Sequence, residues 1–183
     1  KPPRYFGPLG VTNLALRKAV ISSCRKPISG NLTQITDGLK EAFDEQVVEM
    51  LGGVHWIQVD LLHDSSIYAI VIWHDFRFPR AIYQGVVVQT ADDSEFSKNV
   101  RTLFNNDDQN YAGLGVGKDK KYWETNYGKV IYANGVKARY VRIYGSGNNI
   151  DPNHIWERPT ANRHPKSLNR YMEVEIYGFS SGT

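Results

Sequence analysis

The chain has 183 residues, 41% hydrophobic and 22% charged, which are ordinary globular proportions and enough length for one domain that buries roughly 70% of its unfolded surface. A net charge of +3, with Lys and Arg scattered among acids, leaves no basic stripe for a nucleic-acid face, so no nucleic-acid partner is expected. Cys24 is the only cysteine, which excludes an intrachain disulfide, and no apolar run approaches the ~20 residues of a transmembrane segment.

Taken in chain order, Lys1-Pro2-Pro3 opens without an initiator Met or a signal peptide and reads as the start of a piece excised from a longer parent chain. Leu14–Ala19 and Glu41–Leu51 are the two places where a turn or two of helix is expected. Between them Ile35-Thr36-Asp37-Gly38 is a turn. From there on, short β-rich segments recur between Gly, Asn, Asp and Pro. Trp56 to Leu61 alternates, with Ile57, Val59 and Leu61 on one face, and Ile67 to Trp73 is continuously apolar, the mark of a strand buried on both sides. Tyr83 to Thr90 ends at the turn signal Ala91-Asp92-Asp93-Ser94. Lys129 to Ala133 is closed by Asn134-Gly135, a strong turn dipeptide. Tyr140 to Tyr144 and Met172 to Tyr177 alternate again. Many short strands with little helix predict an all-β, antiparallel sandwich, a single domain over 1–183. Asn105–Tyr127 and Gly145–Arg170 are long and irregular, and loops of such length are often functional.

No hydrolase elbow, zinc-ligand spacing or marked carboxylate pair occurs, so no catalysis is expected, and Cys24 reads as a small buried filler. Gly113-Leu114-Gly115-Val116-Gly117-Lys118 lacks the strand–helix context of a phosphate loop and reads as a flexible glycine-rich loop. Trp73-His74-Asp75-Phe76-Arg77-Phe78-Pro79-Arg80 has two readings. Planar donors, acceptors and aromatic faces suit sugar recognition; alternatively the aromatics cap the core and the charges are solvated. Asp37-Gly38 with Glu173 and Glu175, on the polar face of the last strand, offers the oxygen donors that calcium takes.

In order along the chain, Ile35-Thr36-Asp37-Gly38, Trp56-Ile57-Gln58-Val59-Asp60-Leu61, Ala138-Arg139-Tyr140-Val141-Arg142-Ile143 and Glu173-Val174-Glu175-Ile176-Tyr177-Gly178 resemble the motif set of the F5/8 type C (discoidin-like) superfamily. The resemblance covers about 13–178 and implies a jelly-roll β-sandwich similar to galactose-binding modules such as family 32 carbohydrate-binding modules. It implies a structural calcium held by the side chains of Asp37 and Glu173 with the carbonyls of Leu39 and Met172. Leu39 stands where relatives often carry Asn or Asp and offers only its carbonyl. The implied ligand-binding residues are His74, Asp75, Phe76, Arg77, Arg80, Asn148 and Trp156, with Glu49 or His55 beside them. The phospholipid-binding branch usually carries a terminal disulfide, which one cysteine cannot form. The expected function is thus a non-catalytic carbohydrate-binding or adhesion module of a secreted or cell-surface protein, binding galactose- or fucose-type glycan. The alternative is a protein–protein interaction module in an extracellular assembly.

Overall fold

The two apolar runs between residues 56 and 73 belong to one long strand, β4 (His55–His74). The computed structural model describes residues 7–24, 26–41, 43–77, 82–83, 85–149 and 168–181, with the backbone alone of 148–149. Among these residues the other strands are β1 (Thr12–Asn13), β2 (Val20–Ser22), β3 (Val48–Gly52), β5 (Ile82–Tyr83), β6 (Val87–Ala91), β7 (Arg101–Asn105), β8 (Lys129–Gly145), β9 (Asn148–Asn149) and β10 (Leu168–Ser180), all paired antiparallel. Only short 3-10 turns, Leu32–Thr36 and Asp44–Gln46, interrupt them.

The sandwich arises because β4 and β8 each fold over. Residues 55–60 of β4 pair with 140–145 of β8, and 65–72 pair with 129–138, with the register broken between Asp60 and Ser65. The first halves of this ladder continue through β6 and β7 and carry β2, while the second continues through β10 to β1. Both halves send side chains into one core: Ile57, Val59 and Leu61 from one layer and Ile67, Ile70 and Ile72 from the other, joined by Ile131, Val141, Ile143, Val174 and Ile176. Removal of such side chains from water, roughly 1.5–3 kcal/mol each, is what holds the two layers together.

The continuous apolar run from Ile67 to Trp73 has a cause in the second layer's other side. Val71 and Trp73 leave the main core and pack with Val47 and Met172 in a separate cluster, with Phe76 and Tyr177 against it. The expected buried strand is therefore found. The expected polar face of the last strand is not: Glu173 is 0% and Glu175 6% exposed, because the segment after Asp37 and the Trp73 cluster cover that face.

Four local expectations are corrected. Leu14–Ala19 forms turns without helix, and Glu41–Leu51 contains one 3-10 turn followed by β3, since Val47-Val48 and Met50 are drawn to core positions that a strand supplies. Asn134-Gly135 does not close a hairpin. With φ of 52° and 81° the pair sits inside β8, where the register slips between Ile67 and Ala69 of β4, so the left-handed pair makes a bulge. Leu168–Arg170, expected in a loop, begins β10. Cys24 is buried in the main core, as expected of a filler.

Candidate functional site

The registers define two poles. His55 faces Gly145, Ile72 faces Lys129, Tyr171 faces His74, and Val87 faces both Tyr144 and Asn105, so all of these lie at one pole. Asp60, Ser65, Ala138 and Ser180 lie at the other. The first pole carries the long segment after Asn105 and the ends of β4 and β8 at His74 and Gly145. Asn169 ties it together: its side-chain amide donates to the carbonyls of Leu51 and Gly53 at 2.9 and 3.0 Å, and its Oδ1 accepts from the Gly147 N–H at 2.9 Å.

A groove of about 400 Å³ opens at this pole, lined by Ile82, Lys121, Tyr122 and Trp123. Its walls are set by backbone pairing, since Ile82 forms an isolated bridge with Trp123. Trp123 is 63% exposed, an unusual position for an indole that packing does not require. Lys121, in the groove wall, pairs with Asp108 at 2.8 Å, so a cationic donor with an anionic partner belongs to the same rim. Such a set suits a ligand with an apolar face and a rim of hydroxyls.

His74 lies one layer beneath. Its imidazole is 1% exposed and stacks on Tyr83 at 4.1 Å, the residue after Ile82, and its Nδ1 is 2.7 Å from Glu124 Oε1, the residue after Trp123. The hydroxyls of Tyr83, Tyr122 and Tyr171 and Glu124 Oε2 are buried without a hydrogen-bond partner among the described residues. Burial pushes all three phenols well up from their ordinary range. This polar layer supports the groove from below.

The other expected ligand residues are dispersed. Asp75 is buried and accepts from the Arg77 backbone N–H and both Nε and Nη2 of its guanidinium, at 3.1, 2.8 and 2.8 Å, while Arg77 also reaches Asp44. This ion-paired knot fixes the chain leaving β4, and Phe76 packs on the Trp73 cluster. His55 meets Ser23 at 3.1 Å, and Glu49 is bonded by Arg170 at 2.7 Å. Arg80, Trp156 and the Asn148 side chain fall outside the described residues. Sequence reasoning singled out the Asn105–Tyr127 loop but not Trp123. The available signal was an aromatic pair, Tyr122-Trp123, inside a polar loop with no strand alternation to bury it.

Of the four residues expected at a metal, the Asp37–Leu39 turn meets Glu173 on the outer face of the β10 layer, and Met172 precedes Glu173 with its side chain in the Trp73 cluster. Asn31 caps the first 3-10 turn, accepting from Thr33 N–H, with Gln34 closing back on it, and this turn delivers Asp37. Asp37 Oδ1 accepts the Leu39 N–H at 2.8 Å, and the Gly38 N–H donates to Glu173 Oε2 at 3.1 Å. Glu173 Oε1 is buried with no partner among the described residues. Burial, with Asp37 and Glu175 nearby, pushes its carboxyl up to about 8 despite the Gly38 bond. The register of β10 slips between Tyr171 and Glu173, which takes Met172 out of one-to-one pairing. Among the described residues no three His, Cys, Asp or Glu side chains gather as a ligand set. A cation here depends on backbone carbonyls, as hard calcium accepts. An orphaned buried carboxylate oxygen beside a second carboxylate fits such an ion.

No family model matches the chain, and a comparison with curated proteins finds no match. Solved structures do match. The chain is similar to a fucose-binding module of Streptococcus pneumoniae, with 15% identity, a TM-score of 0.59 and 92% and 99% of the two chains covered. It is similar to a chitosan-binding module of a Paenibacillus chitosanase/glucanase, at 18% identity and a TM-score of 0.56, covering 91% and 99%. A family 32 carbohydrate-binding module from Clostridium perfringens, in complex with GlcNAc-α-1,4-galactose, matches at 11% identity and a TM-score of 0.61, covering 93% and 96%. At such identities the likeness is architectural: the chain has the discoidin-like, galactose-binding-like β-sandwich fold of these carbohydrate-binding modules.

Proposed function

We propose that the domain is a non-catalytic carbohydrate-binding module of a secreted or cell-surface protein, holding a galactose- or fucose-type glycan against Trp123. The observation that carries this reading is an exposed indole beside a groove of about 400 Å³ at the loop-bearing pole. The sugar's apolar face would stack on Trp123, while Lys121 and Asp108 meet its hydroxyls. The similar structures support the ligand class, since they include a fucose-binding module and a module in complex with GlcNAc-α-1,4-galactose. A match to 15% of a family 89 glycoside hydrolase of Clostridium perfringens supports a place beside other domains in a longer chain. One stacking contact and a few hydrogen bonds make a weak site, so avidity would come from multiplicity.

Calorimetric titration with galactose, fucose, N-acetylhexosamines and uronates tests the reading. Wild type is expected to give saturable binding, and Trp123→Ala to lose at least about tenfold, the scale of one lost ~1.4 kcal/mol contact, with its melting temperature unchanged. Equal binding by both proteins would remove Trp123 from the site. Silence across a broad glycan panel, with a protein partner recovered by pull-down, would favour a protein–protein interaction module instead.

Within the same reading, calcium braces the fold at Asp37, Glu173 and the carbonyls of Leu39 and Met172. The buried unpartnered Glu173 Oε1 supports it. Asp37→Ala is expected to melt in calcium buffer where wild type melts in chelator. A wild-type melting temperature indifferent to chelator would dismiss the metal.

A further inference from the structure

Lys40 stands next to the proposed metal seat. Its ammonium is 2.5 Å from Glu175 Oε1 and 4.9 Å from the centre of the Trp73 ring. Glu175 is nearly buried, and its second oxygen accepts from the Tyr177 hydroxyl at 2.8 Å. Two positions earlier on β10, and on the same outer face, Glu173 carries the unpartnered oxygen, and Asp37 approaches from the covering loop. Glu173 and Glu175 thus stand side by side on a face largely closed to water, with the half-buried Asp37 at its rim, and negative charge gathered there repels itself. Lys40 supplies a positive charge from within the chain, three residues after Asp37, and pairs directly with Glu175. An ammonium tied to its seat by the backbone cannot be diluted away, and the indole face adds a second attraction for it.

We propose that Lys40 is a tethered cation that shares this acidic cluster with the divalent ion. It neutralises the carboxylates when the ion is absent and opposes the ion's entry when it is present. Lys40 therefore sets both the metal affinity and how far the fold depends on metal. The proposal rests on the reading that Asp37 and Glu173 hold calcium.

The test compares wild type, Lys40→Met and Lys40→Arg by calcium titration calorimetry and by melting in chelator and in millimolar calcium. Lys40→Met keeps the stem on Trp73 and removes the charge. It is expected to bind calcium about tenfold more tightly, to melt below wild type in chelator, and to recover in calcium. Lys40→Arg keeps the charge and is expected to stay within about twofold of wild type. Equal calcium affinity in wild type and Lys40→Met overturns the proposal, as does a loss of melting temperature that calcium does not restore, or an Arg variant that behaves like Met. If none of the three proteins binds calcium, the seat itself is absent and the proposal falls with it. That outcome is distinct from equal binding by all three, which removes only the role of Lys40.

Discussion

Asp60 and Arg139 face each other at the pole away from the groove, joined by paired bonds of 2.8 Å from Nε and Nη2. The Arg139 guanidinium, with the Leu62 N–H, holds the Asp60 carboxyl below its ordinary range, partly offset by burial. A carboxyl depressed in the fold contributes stability above its unfolded value, about 3.8, and loses it as the pH falls through the folded value. Melting in chelator should accordingly fall on the acid side, and Asp60→Asn should flatten that limb by the same modest amount that it costs near neutrality, because the pair is partly exposed. An acid limb unchanged by Asp60→Asn would show that the pair is energetically silent. At this scale the sequence was a mixed guide. It brought Asp37 and Glu173 together across 136 positions through two motifs, yet gave no warning that His74 and Asp75 would be spent on Glu124 and Arg77. A charged residue next to an apolar strand reads as solvated until its partner is known, and both partners come from tertiary structure or a local knot.

The strands explain themselves best where one face decides. Ile57, Val59 and Leu61 alternate because one layer of β4 has a single core face. The covering loops are harder to foresee, because their fit is made atom by atom. Gly128 shows this: a side chain there would have its Cβ 2.6 Å from the Trp73 ring, and its φ is +71°. The close approach lets the Trp73 Nε1–H donate to Asn126 at 3.1 Å and seats the indole beneath Lys40. Gly128→Ala combines backbone strain with overpacking and is expected to cost about 2 kcal/mol or more, a fall of roughly 4–8 °C for a domain of this size. An unchanged melting temperature would mean that Trp73 has room to yield. Arg142 fixes another loop, lying between the rings of Trp56 and Phe96 at 4.3 and 4.0 Å and donating to Gln58 and the Ser94 carbonyl. Its side chain belongs to the "Arg-Tyr-Val-Arg" motif, but its clamping role depends on a loop that no periodicity describes.

For the molecule as a whole, an antiparallel sandwich was legible because period-two burial and turn residues agree over most of the chain. The placement of the groove was not, because exposure of Trp123 follows from where two loops end up relative to each other. Since β4 and β8 each serve both layers, the layers cannot slide or part without tearing a strand. The strand ends beneath the groove, His55, His74, Lys129 and Gly145, are consequently tied to both layers through the same two strands. For the proposed glycan, residence time rather than arrival rate is expected to distinguish a good ligand from a poor one.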